Sequence, residues 1–334
     1  MDFNMKKYEK TVMITGGCGF IGGNLVNYLL RNHPEWKIIN VDSLTYAANP
    51  YYISAHLSSA WIDNYKMVKL DICSPDIDNL FEKEGITDVI HLAAESHVDN
   101  SIENPTLFAQ VNVLGTLNLL NAAVKHWKDD YASHRFHLVS TDEVYGALKP
   151  GEPPFRETNK YFPHSPYSAS KASADHFVRA YHDTYGLNIT ISNCSNNYGP
   201  NQHKEKLIPK TISRILNGEK VPIYGDGTNI RDWLFVGDHC TAIESVFLNG
   251  KNGETYNVGG NCEKNNLDIV AAICECIDTN LNPADVITFV PDRKGHDFRY
   301  AIDNTKIKTE LGWSPSMTFD EGMKTTVDWY RQSE

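Results

Sequence analysis

Three glycines spaced three residues apart restrict the fold of this chain more than any other sequence feature. Residues 11–15 form a short, largely apolar run, β-branched at four positions, which predicts a buried strand. Gly16, Gly19 and Gly22 follow it directly, and residues 24–31 carry apolar side chains at helical spacing. A strand, a glycine turn and a helix in this order can hold a phosphate on the backbone N–H groups that begin the helix. The alternative is a tight strand–helix turn with no ligand.

Strand and helix patterns then alternate along the first 200 residues. This alternation predicts an α/β fold with a doubly wound parallel sheet of Rossmann type. After Pro200 the helices and strands are shorter, so we expect a dinucleotide-binding domain over residues 10–200. A smaller α/β substrate lobe should cover mainly residues 201–330, with segments that cross between the two. The other predicted strands are 37–41, 65–70, 88–92, 136–140 and 189–192, and the long helices are 106–127 and 166–185.

Ligands of such a sheet bind beyond the carboxyl ends of the strands. Asp42 ends the second strand, at the spacing expected for an acid that binds ribose hydroxyl groups. A carboxylate there would repel a 2′-phosphate, so we predict NAD rather than NADP. Asp71 ends the third strand. It either accepts a hydrogen bond from the adenine amino group or caps a helix together with Ser74.

A second group of residues has the composition of a redox and acid–base site. Tyr167 and Lys171 are four residues apart, so they share one face of a helix. An ammonium group favours a phenolate, and we therefore expect Lys171 to lower the pKa of Tyr167. Thr141 ends a predicted strand, and Asp142 and Glu143 follow it. Such a pair can remove a carbon-bound proton and protonate a leaving hydroxyl group; alternatively, both acids cap a turn or face solvent.

These motifs together resemble the dTDP-glucose 4,6-dehydratases, which belong to the extended short-chain dehydrogenase/reductase family. The resemblance covers about residues 10–330 in the family's order. The segments that carry it are 141–146 (TDEVYG), 165–172 (SPYSASKA), 192–200 (SNCSNNYGP), 205–209 (EKLIP) and 230–234 (IRDWL).

The resemblance implies a set of ligand contacts. Cofactor contacts are expected at Gly16, Gly19, Phe20, Ile21, Gly22, Asp42, Ser43, Leu44, Thr45, Asp71, Ile72, Leu92, Ala93, Ala94, Ser96, Tyr167, Lys171 and Asn197. Substrate contacts are expected at Ser96, Thr141, Asn196, Lys206, Leu207, Tyr224, Arg231, Asn266, Arg293 and His296. Arg231 and Arg293 would hold the diphosphate, because a guanidinium group pairs with phosphate oxygens. We expect His91 and His97 to be structural.

The implied reaction is an internal redox cycle on dTDP-glucose. Tyr167, with Thr141 and Lys171, would remove the C4 hydroxyl proton while NAD takes the C4 hydride. Glu143 would then remove the C5 proton and Asp142 would protonate the departing C6 hydroxyl group. The hydride would then return to C6 and a proton to C5. The alternatives are a nucleotide-sugar 4-epimerase, a dehydratase for another nucleotide sugar, and a catalytically silent NAD-binding scaffold.

Charge and cysteine content narrow the partners. The 31 basic residues against 42 acidic ones give a net charge of −11, which argues against nucleic acid or an anionic membrane as the main partner. Seven cysteines at scattered spacing predict reduced thiols, no metal site and a cytoplasmic location. No apolar run suggests a signal peptide or membrane span. The family resemblance implies a homodimer formed by helices 106–127 and 166–185, with Leu117, Leu120, Phe177 and Tyr181 as contacts.

Overall fold

The computed structural model describes residues 8–54, 62–292 and 297–333. Arg293 and His296, two of the predicted substrate contacts, lie outside these residues. The strands are β1 (Lys10–Thr15), β2 (Trp36–Asp42), β3 (Tyr65–Lys69), β4 (Asp88–His91), β5 (Arg135–Thr141), β6 (Ile189–Cys194), β7 (Asn196–Tyr198), β8 (Val221–Tyr224), β9 (Ile230–Phe235), β10 (Thr255–Val258), β11 (Glu263–Asn265) and β12 (Ile287–Val290).

The helices include one π-helical segment, Ala109–Gly115, and short 3-10 helices at Ile62–Asn64, Tyr131–Ser133 and Asp142–Tyr145. The α-helices are α1 (Phe20–Asn32), α2 (Pro50–Ser54), α3 (Asp76–Glu84), α4 (Val98–Glu103), α5 (Pro105–Phe108), α6 (Thr116–Trp127), α7 (Pro166–Tyr185), α8 (Leu207–Leu216), α9 (Val236–Asn249), α10 (Asn266–Ile277), α11 (Pro283–Val286), α12 (Thr305–Leu311) and α13 (Phe319–Ser333).

The main sheet has seven strands in the order β10-β6-β5-β4-β1-β2-β3. Its strands run parallel, and β1 pairs with β2 on one side and with β4 on the other. Val12, Met13 and Ile14 of β1 are fully buried, as expected for a strand covered on both faces. The predicted doubly wound parallel sheet is confirmed. Two small sheets, β11-β9-β7 and β12-β8, complete the strand pairing.

Chain contacts divide the described residues into two compact units. The first unit comprises Met1–Val139, Ser173–Thr190 and Lys251–Glu254. The second unit comprises Ser140–Ala172, Ile191–Gly250 and Thr255–Glu334, and one of its apolar clusters packs α8, α10 and α13 together. The domain boundary expected near residue 200 stays a prediction.

The long helical segment of the first unit contains an irregularity that the sequence pattern does not reveal. The predicted helix 106–127 is helical, but the π-helical segment interrupts it. A side chain at Gly115 would come within 2.5 Å of Ile72 Cδ1, so the close packing needs a glycine there.

The helical stretch Pro105–Trp127 is long and apolar enough to cross a membrane, judged by length and composition alone. Of its most apolar 18 residues, 44% are buried inside the protein, and the core helix of a globular protein passes the same test.

Candidate active site

The glycine loop of the first unit leaves no room for side chains. Gly16 has a φ of +71°, and its N–H donates to Val41 O at 2.8 Å. A Cβ on Gly16 would lie 2.8 Å from the backbone of Ala93, and one on Gly22 would lie 2.2 Å from Gly16 O. No side chain caps the first turn of α1, so its N–H groups stay available to a ligand. This cradle fits the diphosphate of a dinucleotide.

Both carboxylate oxygens of Asp42 accept hydrogen bonds from backbone N–H groups, and one of these bonds ties Asp42 to the glycine loop. Oδ2 accepts from Cys18 N at 2.9 Å, and Oδ1 accepts from Leu44 N at 2.8 Å. The side chain is buried at the end of β2, as predicted. Because each carboxylate oxygen has two lone pairs, the group can still accept from ribose hydroxyl groups. The geometry therefore agrees with an acid that holds both the loop and the ribose.

We expect Asp42→Ala to weaken NAD binding by about ten- to a hundredfold, because hydrogen bonds to a charged group are worth about 1.5–3 kcal/mol. The preference for NAD over NADP should narrow, since no carboxylate then repels the 2′-phosphate. Dissociation constants for both cofactors provide the measurement. Asp42→Asn is the matched control, because it keeps the size and removes the charge. A wild-type protein that prefers NADP would contradict the role of Asp42.

The remaining cofactor candidates of the first unit follow the carboxyl ends of neighbouring parallel strands. Ser43, Leu44 and Thr45 follow β2, Asp71 and Ile72 follow β3, and Leu92, Ala93, Ala94 and Ser96 follow β4. Asp71 is exposed, and its Oδ1 accepts from Cys73 N at 2.8 Å. It therefore stabilises a turn, and it does not cap a helix, because α3 begins only at Asp76. Its adenine contact stays a prediction.

The loop after β4 is fixed by Asn112, which the sequence did not single out. Asn112 is buried in the π-helical segment; its Oδ1 accepts from Glu95 N at 2.9 Å and its Nδ2 donates to Glu95 O at 3.0 Å.

The two histidines predicted to be structural, His91 and His97, both make hydrogen bonds within the first unit. His91 bonds to Thr15 and Thr116 through its two ring nitrogens, and His97 caps α4 by accepting from Asn100 N.

In the second unit, β5 ends at Thr141 and leads directly into the 3-10 helix that carries both acids. Thr141 Oγ1 accepts from Glu143 N at 3.3 Å and so caps this turn. The side chain of Asn193 on β6 donates to Thr141 O at 3.1 Å. Asn193 thus fixes the backbone from which the acids project, a role for which the sequence carries no local signal.

Tyr167 and Lys171 occupy the first two turns of α7. Tyr167 is half-buried, Lys171 is 4% exposed, and Tyr167 hydrogen-bonds with the Thr141 hydroxyl group. Burial raises the pKa of Tyr167 well above its ordinary value, and the nearby Glu143 raises it further, whereas the Thr141 hydrogen bond lowers it. The sequence prediction of a lowered pKa for Tyr167 is therefore wrong, because the effect of burial outweighs that of the favourable contacts.

Asp142 does not face solvent, in contrast to the alternative that the sequence left open. It is 2% exposed, its Oδ2 has no hydrogen-bond partner among the described residues, and Thr141 lies 3.4 Å from its Oδ1. Burial raises the pKa of Asp142 well above its ordinary value, and Glu143 and Asp232 raise it further. A carboxyl group in this environment holds its proton and suits the role of a general acid.

The pKa shift of Asp142 makes stability depend on pH with a defined sign. The pKa is higher in the folded chain than in the unfolded chain, so the wild type should lose unfolding free energy as the pH rises above about 4, by at most about 1.4 kcal/mol per pH unit. Asp142→Asn lacks this loss. Its stability advantage over the wild type, measured by denaturant unfolding, should therefore grow with pH. An advantage that does not change with pH would contradict this assignment.

Arg231 on β9 is a cation whose charge acts on Asp142. Its guanidinium group donates to three backbone oxygens, among them Asp297 O at 3.0 Å, and lies 4.5 Å from the ring centroid of Tyr300. Its charge lowers the pKa of Asp142. Tyr300, which sequence reasoning missed, donates its hydroxyl hydrogen to the Asp297 carboxylate. The guanidinium group is thus held in place before any phosphate binds.

The other predicted substrate contacts of the second unit fall at the ends of its elements. Asn196 begins β7, Lys206 precedes α8, Leu207 begins α8, Tyr224 ends β8 and Asn266 begins α10. Ser96 belongs to the first unit. Their contacts with a nucleotide sugar stay predictions.

A glycine cradle on a parallel sheet, combined with a Tyr–Lys pair on a helix and a threonine at a strand end, characterises the short-chain dehydrogenases/reductases. The family model described as GDP-mannose 4,6 dehydratase matches residues 13–326. The dTDP-glucose 4,6-dehydratase of Haemophilus influenzae is 49% identical, covering 96% of this chain and 97% of that protein. The dTDP-glucose 4,6-dehydratase of Salmonella typhimurium is also 49% identical, and the match covers 96% of this chain and 92% of that protein. The chain therefore belongs to the GDP-mannose 4,6 dehydratase family, and within it to the dTDP-glucose 4,6-dehydratases.

Solved structures agree with this assignment. A dTDP-glucose 4,6-dehydratase from Streptomyces venezuelae with NAD bound is 40% identical, with a TM-score of 0.88 and coverage of 96% of this chain and 97% of that one. The UDP-glucose 4-epimerase of Thermotoga maritima reaches a TM-score of 0.86 at 29% identity, covering 97% of this chain and 99% of that one. The fold is thus common to dehydratases and epimerases, so the side chains must distinguish them.

Proposed function

We propose that this chain converts dTDP-glucose to dTDP-4-keto-6-deoxyglucose, a hydro-lyase reaction with NAD as a regenerated cofactor. The observation that carries the proposal is the buried Asp142 beside the half-buried Glu143 at the end of β5. Relatives that are 49% identical over nearly their whole length carry this activity in their names, and related dehydratases were crystallised with NAD. An epimerase needs no acid and base for the loss of water, so the acid pair favours the dehydratase.

The oxidation half of the reaction depends on Tyr167, Thr141 and Lys171. Bound NAD would supply the hydride acceptor for C4 and the hydride donor for C6, and the positive charge of its oxidised ring would favour the phenolate. Tyr167 removes the C4 hydroxyl proton. Thr141 holds the Tyr167 hydroxyl group in place through their hydrogen bond. The buried ammonium group of Lys171 adds a second positive charge that stabilises the phenolate.

The elimination half depends on the two acids. A 4-ketone makes the C5 proton more acidic, and Glu143 removes it. Asp142 protonates the departing C6 hydroxyl group, and water leaves. A proton then returns to C5 when C6 receives the hydride. Neighbouring carboxyl groups whose surroundings separate their pKa values can divide the roles of acid and base in this way. Arg231, held by Asp297 and Tyr300, presents its cation to the diphosphate.

Incubation of the purified protein with a panel of nucleotide-linked hexoses tests the substrate. We expect mass spectrometry to detect the loss of one water from dTDP-glucose at a higher rate than from UDP-glucose or GDP-mannose. Glu143→Gln is the matched control, because any loss of water with this variant occurs without the proposed C5 base. An equal or greater rate on another base would overturn the thymidine preference, and isomerisation without loss of mass would favour the 4-epimerase.

The homodimer is part of the same proposal. Tyr181 on α7 donates to Asn121 on α6 at 2.6 Å, so these helices lie side by side in the first unit. Leu114, in the π-helical segment that leads into α6, is 57% exposed, and Phe177 on α7 is 38% exposed; the proposed interface would cover both side chains. Leu120, in contrast, is fully buried within the chain. It therefore cannot supply the interface contact that the sequence suggested.

We expect light scattering at micromolar concentration to give twice the chain mass of 37.6 kDa. Combining Leu114→Glu with Phe177→Glu should reduce the mass to that of one chain, because buried charges disrupt an apolar interface. Leu248→Glu is the control, since Leu248 is also exposed but lies on α9. A wild type that scatters as a monomer would refute the dimer.

We further propose that the protein works in the cytoplasm. All seven cysteines lie in the described part of the chain, and all are free thiols. Four of them are buried. Reduced thiols of this kind suit a reducing compartment.

A further inference from the structure

Asn197 on β7 has both polar atoms of its side chain engaged. Nδ2 donates to Ser195 O at 3.0 Å, and Oδ1 lies 2.9 Å from Nδ1 of His239 in the first turn of α9. The backbone oxygen of Asn197 accepts from Gln202 Nε2 at 2.9 Å. Three other residues of the second unit thus bond to Asn197, whose contact with NAD is implied by the family resemblance.

The carbonyl oxygen of Ser195 determines which way the Asn197 amide is oriented. A flipped amide would place Oδ1 against this carbonyl, and two acceptors would face each other. The Asn197 atom nearest His239 must therefore be an oxygen, and His239 must donate to it from Nδ1. His239 has no exposed surface, and burial lowers its pKa to about 3, so the ring stays neutral at working pH. Its Nε2 is then an acceptor, and it has no partner in the part of the chain that the structure describes.

We infer that His239 is a positioning residue, which holds the Asn197 carboxamide in one orientation for binding NAD. The inference rests on the proposed cofactor contact of Asn197. The second Nδ2 hydrogen and the second Oδ1 lone pair remain for a ligand, and both are aimed by the bonds to Ser195 and His239. Without His239 the amide can rotate, and part of the NAD binding free energy is spent on ordering it.

Two substitutions of His239 separate hydrogen bonding from packing. His239→Asn places an amide nitrogen near the position of Nδ1 and leaves a smaller side chain. His239→Leu keeps approximately the volume and has no donor. We expect His239→Leu to raise the dissociation constant of NAD by about tenfold, because Asn197 Oδ1 loses its donor. The His239→Asn variant should keep most of the wild-type affinity for NAD, even if its melting temperature is lower than that of the wild type. A role in packing alone predicts the opposite order.

A double-mutant cycle with Asn197→Ala completes the test. If His239 acts through Asn197, adding His239→Leu to Asn197→Ala should raise the dissociation constant no further. The control is His137→Leu, which removes another fully buried histidine, bonded to Thr190 at 2.9 Å, and should leave NAD affinity unchanged. The inference would be overturned if the two substitutions raised the dissociation constant additively, or if Asn197→Ala left it unchanged. The proposed function would still hold in that case, provided that the wild type binds NAD and releases water. A wild type that does not bind NAD would overturn both.

Discussion

Replacing Tyr167 by phenylalanine should lower the turnover number by about 10²–10⁴, the range associated with a positioned acid–base group. The variant lacks the group that removes the C4 hydroxyl proton, so the first step fails. No absorbance of reduced nicotinamide should then appear when substrate is mixed with enzyme and NAD. Single-turnover absorbance and steady-state rates provide the two measurements.

Tyr256→Phe is the matched control for this substitution. Its hydroxyl group donates to Glu310 at 3.1 Å in the same unit, at a site with no proposed catalytic role. It should therefore lower the melting temperature slightly and keep turnover near that of the wild type. If Tyr167→Phe retained a turnover number within tenfold of the wild type, Tyr167 could not be the base of the oxidation step.

Glu143→Gln should cause a loss of turnover of similar size, about 10²–10⁴, but at a later stage. The substitution keeps Tyr167, Thr141 and Lys171 and removes only the base proposed for C5. Reduced nicotinamide should therefore accumulate after substrate is added, whereas water is not released. Stopped-flow absorbance combined with mass spectrometry of the quenched mixture separates the two events. A variant that forms no reduced nicotinamide would assign Glu143 to the oxidation step instead.

Isotope labelling of the wild type tests the same division of roles. In D₂O the product should carry one solvent deuterium at C5, because that proton is removed and later replaced. The hydrogen delivered to C6 should come from C4 of the substrate, without exchange with solvent. Product without deuterium at C5, or with solvent deuterium at C6, would rule out this mechanism and leave Asp142 and Glu143 as residues of a turn.

The features that could be predicted from the sequence depend on residues close together in the chain. The strand predicted over 37–41 is observed as Trp36–Asp42, and the glycine loop follows β1 as expected. Apolar periodicity reports burial over a few residues, and the turn after a strand must begin where the apolar run ends. Asp42 was recognisable for the same reason, since it ends the next strand of the same βαβ unit.

Features that depend on distant neighbours were not predictable. The π-helical segment arises where Gly115 packs on Ile72, and Asn112 within it holds a loop 17 residues earlier. The support of Thr141 by Asn193 spans 52 residues. Helical periodicity is the same with or without such contacts, so only the folded chain shows them.

The sequence by itself determined the parallel sheet and the glycine loop, and it supplied the acid proposed to select NAD and the side chains proposed to be catalytic, because each depends on residue type and short spacing. Only the tertiary structure decided how those side chains ionise. Lys171 lies four residues from Tyr167, yet burial and Glu143 raise the pKa of the Tyr167 phenol. Asp142 and Glu143 are adjacent in the chain, but Asp142 is buried and Glu143 is only half-buried. The physical reason is that burial and charge act through space, so the proton affinity of a side chain is set by neighbours that folding brings together.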